Sequence, residues 1–296
     1  MGAENLLPVQ IERTREACVG LSEQLKDLKQ MAGINTAVTS VGAVAGGVAL
    51  GTGIAKANVD EDIEYIDAIL DEAGVITIET EDQLLEVLAQ LFDETEMPEG
   101  TSIAEDLRTL RDSLREESIV LGKVRTGTLA GAAVADTAGM IISMKNRVDE
   151  DLQSQIDLCI AEKEKLSQAF MQARIDGGAD VAMLERANKI IQACSAWELV
   201  DLSKINNRAK GGAISAGTGA ATAIAGTVTS ALANSEPVRG DDSDDGKKKE
   251  ANLNVASNVL AGGATVAAGV ATVFNATQIA AVKRAVSAAE KCEGAF

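Results

Sequence analysis

Apolar positions recur along this chain at the three- and four-residue intervals of helical faces. The runs are far longer than an ordinary globular helix, and polar punctuation breaks them at only a few places. The pattern predicts four long helical stretches, over 8–57, 102–176, 180–234 and 252–296. The first ends at Asn58. The second opens on Ser102-Ile103-Ala104-Glu105, a capping box in which the hydroxyl and the carboxylate each satisfy a free backbone N–H. It stops at Gly177-Gly178, and the third stretch breaks at Ser235-Glu236-Pro237. At about 1.5 Å per residue such stretches span roughly 65 to 105 Å. The expected fold is therefore all-α: an elongated, antiparallel, up-down-up-down bundle of four long helices.

Residues 1–58 and 102–176 are expected to form one helical hairpin and 180–296 a second. The second carries 235–251 as a flexible charged loop with the blocks Asp241-Asp242-Ser243-Asp244-Asp245 and Lys247-Lys248-Lys249. Residues 59–101 read as a small acidic cap. In it a helix around Ile63, Ile66, Ile69 and Leu70 leads into an extended piece at Val75-Ile76-Thr77-Ile78. A second helix follows, opened by the capping box Thr80-Glu81-Asp82-Gln83. The two hairpins are related. Setting Cys18 on Cys194 without a gap brings Ala37 onto Ala213, Ala45 onto Ala221, Ala49 onto Ala225 and Asn58 onto Asn234.

The four cysteines give the sharpest signal. The distances from Cys18 to Ala57, Ile119 to Cys159, Cys194 to Asn234 and Asn252 to Cys292 are 39, 40, 40 and 40 residues. In an up-down-up-down bundle all four then stand at one level. Disulfides within the hairpins, Cys18 to Cys159 and Cys194 to Cys292, would staple each pair of helices. Other pairings, four reduced buried thiols and a four-cysteine zinc site remain alternatives. Structural disulfides imply an oxidising compartment, so the expected location is extracytoplasmic: periplasmic, cell-surface or secreted. The start of the chain lacks the basic and apolar regions of a secretory signal, as a mature chain given a new Met would.

Four stretches, 34–55, 127–144, 211–234 and 252–282, are rich in Gly, Ala, Ser and Thr, and Asp136 is their one charged residue. Gly42, Gly46 and Gly47, Gly127 and Gly131, and Gly262 and Gly263 supply small faces on which helix backbones can approach closely. The lengths suit membrane spans. Against this, Leu, Ile, Val and Phe are few, and Asn35, Asn254, Asn258, Asn275 and Asp136 would enter lipid without evident compensation. The expectation is tightly packed water-soluble helices, with membrane insertion as the rival.

Composition removes much chemistry. A net charge of −18 opposes phosphate backbones, so nucleic acid is not an expected partner. The absence of histidine removes the commonest general base and metal ligand. No phosphate loop, nucleophile elbow or dinucleotide fingerprint occurs. The acidic clusters at Asp60-Glu61-Asp62 and Asp149-Glu150-Asp151 read as solvated faces. Asp241, Ser243 and Asp245 have calcium-loop spacing, but Asn252 stands where the bidentate Glu belongs and three lysines follow. No catalytic residue, cofactor or small-molecule substrate is expected. The reading is a non-enzymatic structural or interaction protein with a protein partner or self-association, and its rival is a membrane-active or pore-forming helical protein.

Overall fold

The computed structural model describes residues 6–75, 103–177, 179–239 and 243–296. The fold is all-α, with no strand among the described residues. Its helices are α1 (Leu6–Cys18), α2 (Leu21–Val75), α3 (Ile103–Lys145), α4 (Glu150–Asp176), α5 (Val181–Cys194), α6 (Leu202–Ala233), the single turn α7 (Glu236–Arg239) and α8 (Asp244–Glu293). A 3₁₀ turn, Ser195–Leu199, follows α5.

Three breaks divide stretches expected to be continuous, and each has a local cause. Gly20 at φ +94° separates α1 from α2, a conformation that glycine adopts without Cβ strain. Asp149 opens α4 by accepting a hydrogen bond from the Leu152 N–H at 2.8 Å. Asp201 opens α6 by accepting from the Lys204 N–H at 3.2 Å.

Two expected ends are not ends. α2 runs through Asn58 to Val75, and Lys56 bonds Asp60 one turn on at 2.5 Å across the expected stop. α8 begins at Asp244, so most of the expected loop 235–251 is helical. The extended piece at 76–78, the capping box at 80–83 and Ser102 lie outside the described residues.

The chain forms two compact units. The first comprises Met1–Ala43, Ala133–Ala220 and Val266–Phe296, and the second comprises Val44–Ala132 and Ala221–Thr265. Each long helix contributes a part to both. In the first unit Leu7, Ile11, Leu21, Leu25, Ile156, Leu166, Ile190, Trp197 and Val282 form a close-packed apolar core around the four cysteines. In the second, Ala49, Leu129 and Ala261 form a small buried apolar cluster among the described residues.

Buried positions alternate at three and four residues with no lapse. In α2, continuing from Cys18, they are Leu21, Leu25, Leu28, Ala32, Asn35, Thr39, Gly42, Gly46, Ala49, Gly53 and Lys56. α8 carries the same spacing from Asn254 to Cys292. Contacts within each unit run in opposing order along neighbouring helices. Asn35 meets Ser143 and Gly42 meets Asp136, while Gly212 faces Ser143 and Gly219 faces Asp136. The long helices are therefore antiparallel neighbours in each unit.

These seams correct the repeat alignment. Cys18 and Cys194 are both buried at the ends of α1 and α5. Past the breaks, however, buried Ala32, Gly42 and Ala49 correspond to buried Ala209, Gly219 and Gly226, one residue later than a gap-free match. Ala37 is exposed and Ala213 buried. Abundant alanine produced the gap-free matches, and the longer break before α6 supplies the extra residue.

Candidate functional site

Cys18 is bonded to Cys159 and Cys194 to Cys292, with Cα separations of 4.8 and 4.3 Å. The sulfurs of Cys18, Cys159 and Cys292 lie within 4.8 Å of one another, so the two bonds are adjacent. All four cysteines are buried and oxidised, which leaves no thiolate for the zinc alternative. Hydrogen bonds reinforce this part of the first unit. Glu293 accepts from the Gly20 and Ser22 N–H groups at 3.1 and 2.9 Å and from the Ser22 hydroxyl at 2.7 Å. Glu162 accepts from Lys165 and from Gln10, each at 2.6 Å, which hold its carboxyl below the usual range.

The small-residue stretches have the opposite construction. In the first unit Asn35 donates to the Ser143 hydroxyl at 2.5 Å, and Ser143 donates to the Asn275 carbonyl oxygen at 3.4 Å. The Asn275 amide and the Thr272 hydroxyl then donate to Thr39 Oγ1 at 3.4 and 3.2 Å. Asp136 is fully buried and neither of its oxygens has a hydrogen-bond partner. In the second unit the fully buried Lys56 reaches Asp60 and, at 3.3 Å, Glu250. Arg125, also fully buried, donates to the Asn254 backbone oxygen at 2.9 Å. The Thr126 and Ser230 hydroxyls share a 2.8 Å bond, and Asn258 donates to the Gly53 carbonyl at 3.4 Å.

The outward faces of the same stretches are apolar. Val44, Val134, Ile214 and Val259 are 67, 72, 61 and 69% exposed, whereas Leu129 and Val282 are the large aliphatic side chains fully buried within these stretches. Three helical runs, Leu6–Ala68, Leu107–Asp176 and Asp245–Glu293, are long and apolar enough to cross a membrane. In their most apolar windows only 28, 33 and 28% of the residues are buried. Asn35, Asn254, Asn258, Asn275 and Asp136, expected to meet lipid uncompensated, all face inward. All but Asp136 have hydrogen-bond partners there.

Glycines make room for these inward groups. A Cβ on Gly42 would collide with Asp136, one on Gly219 would stand 2.5 Å from Asp136, and one on Gly212 would stand 2.5 Å from Asn275. Gly53 and Gly122 receive Asn258 and Asn234 in the same way. Of the glycines singled out from the sequence, a Cβ on Gly46 would stand 3.2 Å from the Thr265 backbone, and one on Gly263 would make ordinary contact with Thr222. Gly47, Gly127, Gly131 and Gly262 have open space where a side chain would be and do not serve close packing. Glycine content and local spacing alone do not mark the seam. Continuing Leu21, Leu25 and Leu28 at 3.5-residue intervals would have selected Gly42, Gly46 and Gly53, and placed Asn35 inside.

Ser243 caps the start of α8 by accepting from the Gly246 N–H at 3.1 Å, and Asp245 lies in that helix's first turn. Asp241, the remaining residue of the calcium pattern, lies outside the described residues. Compared with protein-family models, curated proteins and solved structures, the chain matches none.

Proposed function

We propose that this chain is a non-enzymatic structural protein of the cell envelope, held in a membrane by its four small-residue stretches. Its disulfide-bonded part stands in the oxidising compartment outside the cytoplasm. The observation that carries the reading is the inverted distribution of residues over 34–55, 127–144, 211–234 and 252–282. Hydrogen-bonded Asn, Ser and Thr line the inside and Val and Ile line the outside. In water that arrangement forfeits the hydrophobic effect, whereas in lipid it satisfies both faces.

The borders fit as well. The first charges flanking the four stretches in the first unit are Lys29, Lys145, Lys210 and Lys283, all exposed, as suits side chains reaching the headgroup level. The lengths between flanking charges, about 28 to 48 Å at 1.5 Å per residue with Asp136 the one charge inside them, approach or exceed a hydrocarbon core of roughly 30 Å. Basic residues stand at both borders, so the disulfides rather than the charges assign the outer side.

The test is flotation of the purified protein with phosphatidylcholine vesicles, followed by alkaline carbonate extraction. The proposal expects the protein to float and to resist extraction. Recovery in the soluble fraction would restore a water-soluble exterior protein. The reading is of an anchor rather than a channel, so encapsulated dye is expected to stay inside the vesicles.

A further inference from the structure

We infer that the cleft between the C-terminal end of α3 and the first turns of α6 binds the phosphate of an anionic membrane lipid. The inference rests on the membrane reading above and gives one of its borders a specific ligand. The cleft has a volume of about 490 Å³, within the range of small-molecule clefts. Its cationic lining is Lys145, Arg147 and Lys210. All three are exposed, and none makes an ion pair among the described residues. The wall is preformed: the Val148 N–H donates to Asn206 Oδ1 at 2.8 Å, and the Asn206 amide donates back to the Val148 oxygen at 3.2 Å.

Asp149 and Glu150 also border the cleft. Asp149 is engaged in capping α4, and three cations still outnumber two carboxylates. The site thus favours an anion with several acceptor oxygens over a simple counter-ion. Position selects the lipid as its source. Lys145 and Lys210 are the first charges beyond the ends of two of the small-residue stretches. Met144, 52% exposed, lies on the cleft's apolar side, from which the exposed faces of α3 lead away along Ile141 and Val134. A phosphate seated among the cations therefore has acyl-compatible surface next to it, which a free phosphate would not use.

The full-length protein is reconstituted in nanodiscs of phosphatidylcholine alone and of phosphatidylcholine with phosphatidylglycerol, and retained lipid is counted by native mass spectrometry. Wild type is compared with the triple variant Lys145→Gln, Arg147→Gln, Lys210→Gln. A control of equal charge change elsewhere is Lys29→Gln, Lys283→Gln, Arg284→Gln. Diffuse attraction, roughly fivefold per basic side chain near an anionic surface, falls alike in both triples, so the site is read from the excess: the cleft triple is expected to lose phosphatidylglycerol enrichment at least about tenfold more than the control.

Equal losses in both triples would reduce the effect to diffuse attraction and overturn the site. Incorporation without any phosphatidylglycerol preference would overturn this inference alone, whereas failure to incorporate into phosphatidylcholine discs would remove the membrane reading and the inference together. Binding of inorganic phosphate by detergent-solubilised wild type, with no lipid enrichment, would keep the anion chemistry and overturn its assignment to lipid.

Discussion

The part of the first unit around the disulfides and the small-residue stretches share the same three-four seams but fill them oppositely. Around the cysteines, Leu21, Leu25 and Leu28 point inward and Glu23, Lys26, Asp27 and Lys29 point out. Two to six turns further along α2, Asn35, Thr39 and Gly42 point inward and Val41, Val44 and Val48 point out. The helical spacing is therefore independent of which solvent the outer face meets. Size and polarity on the seam decide how closely the helices approach, and the outer face decides the medium.

Cutting the staples should break the comparison hardest. Each disulfide closes a long span, 141 and 98 residues apart in sequence, worth about 4 to 5 kcal/mol in the chain-entropy account. Replacing all four cysteines by serine should lower the thermal midpoint of the leucine-rich part, followed by Trp197 fluorescence, and leave flotation unchanged. Next in size are outward substitutions. Val44→Asp, Val134→Asp and Val259→Asp should each oppose insertion by about 2.5 to 3.5 kcal/mol and together abolish flotation. Leu158→Asp and Met171→Asp, at exposed sites on α4 in the disulfide-bonded part, should change stability by no more than about 0.5 kcal/mol.

Glycines separate the inner from the outer face more finely. Gly42→Val should cost about 1 to 3 kcal/mol by overpacking against Asp136. Gly131→Ala, with open space around it, should gain about 1 kcal/mol in helix propensity. Thermal melts in one detergent read both signs. The smallest effect is on Glu162, which Lys165 and Gln10 hold below its ordinary value of 4.5. Because that value is depressed on folding, its contribution is fully present above about pH 4.5 and is lost as pH falls through the lowered value. The midpoint difference between wild type and Glu162→Gln should therefore close on acidification, and a difference independent of pH would exclude the ionised pair.

The level of the cysteines was legible although Ala57 and Asn252 are not helix ends: Gly53 meets Asn258, so those two residues stand near one level and the equal counts to Cys18 and Cys292 still hold. The helix breaks were less legible. Asp149 and Asp201 are capping residues within a chain full of acids, and only the turn geometry marks them. The one-residue slip between α2 and α6 depends on the length of the 3₁₀ turn at Ser195–Leu199, which no periodicity announces. The inward aim of Asn35 and Asp136 was encoded in the leucine phase upstream. It was obscured because polar residues in an uncharged stretch were judged by their type before their direction.

The pairing of each bulky inward group with its own notch has a mechanical consequence. Asp136 fits between Gly42 and Gly219 and Asn275 fits against Gly212, so the helices of the first unit mesh like a key in a cut lock. A shift of α3 by one heptad would carry Asp136 to the level of Asn35 on α2 and of Gly212 on α6. The α6 side repeats its notch at that interval and would let the carboxylate pass, whereas α2 presents the Asn35 side chain, so it is the α2 face that resists piston-like sliding.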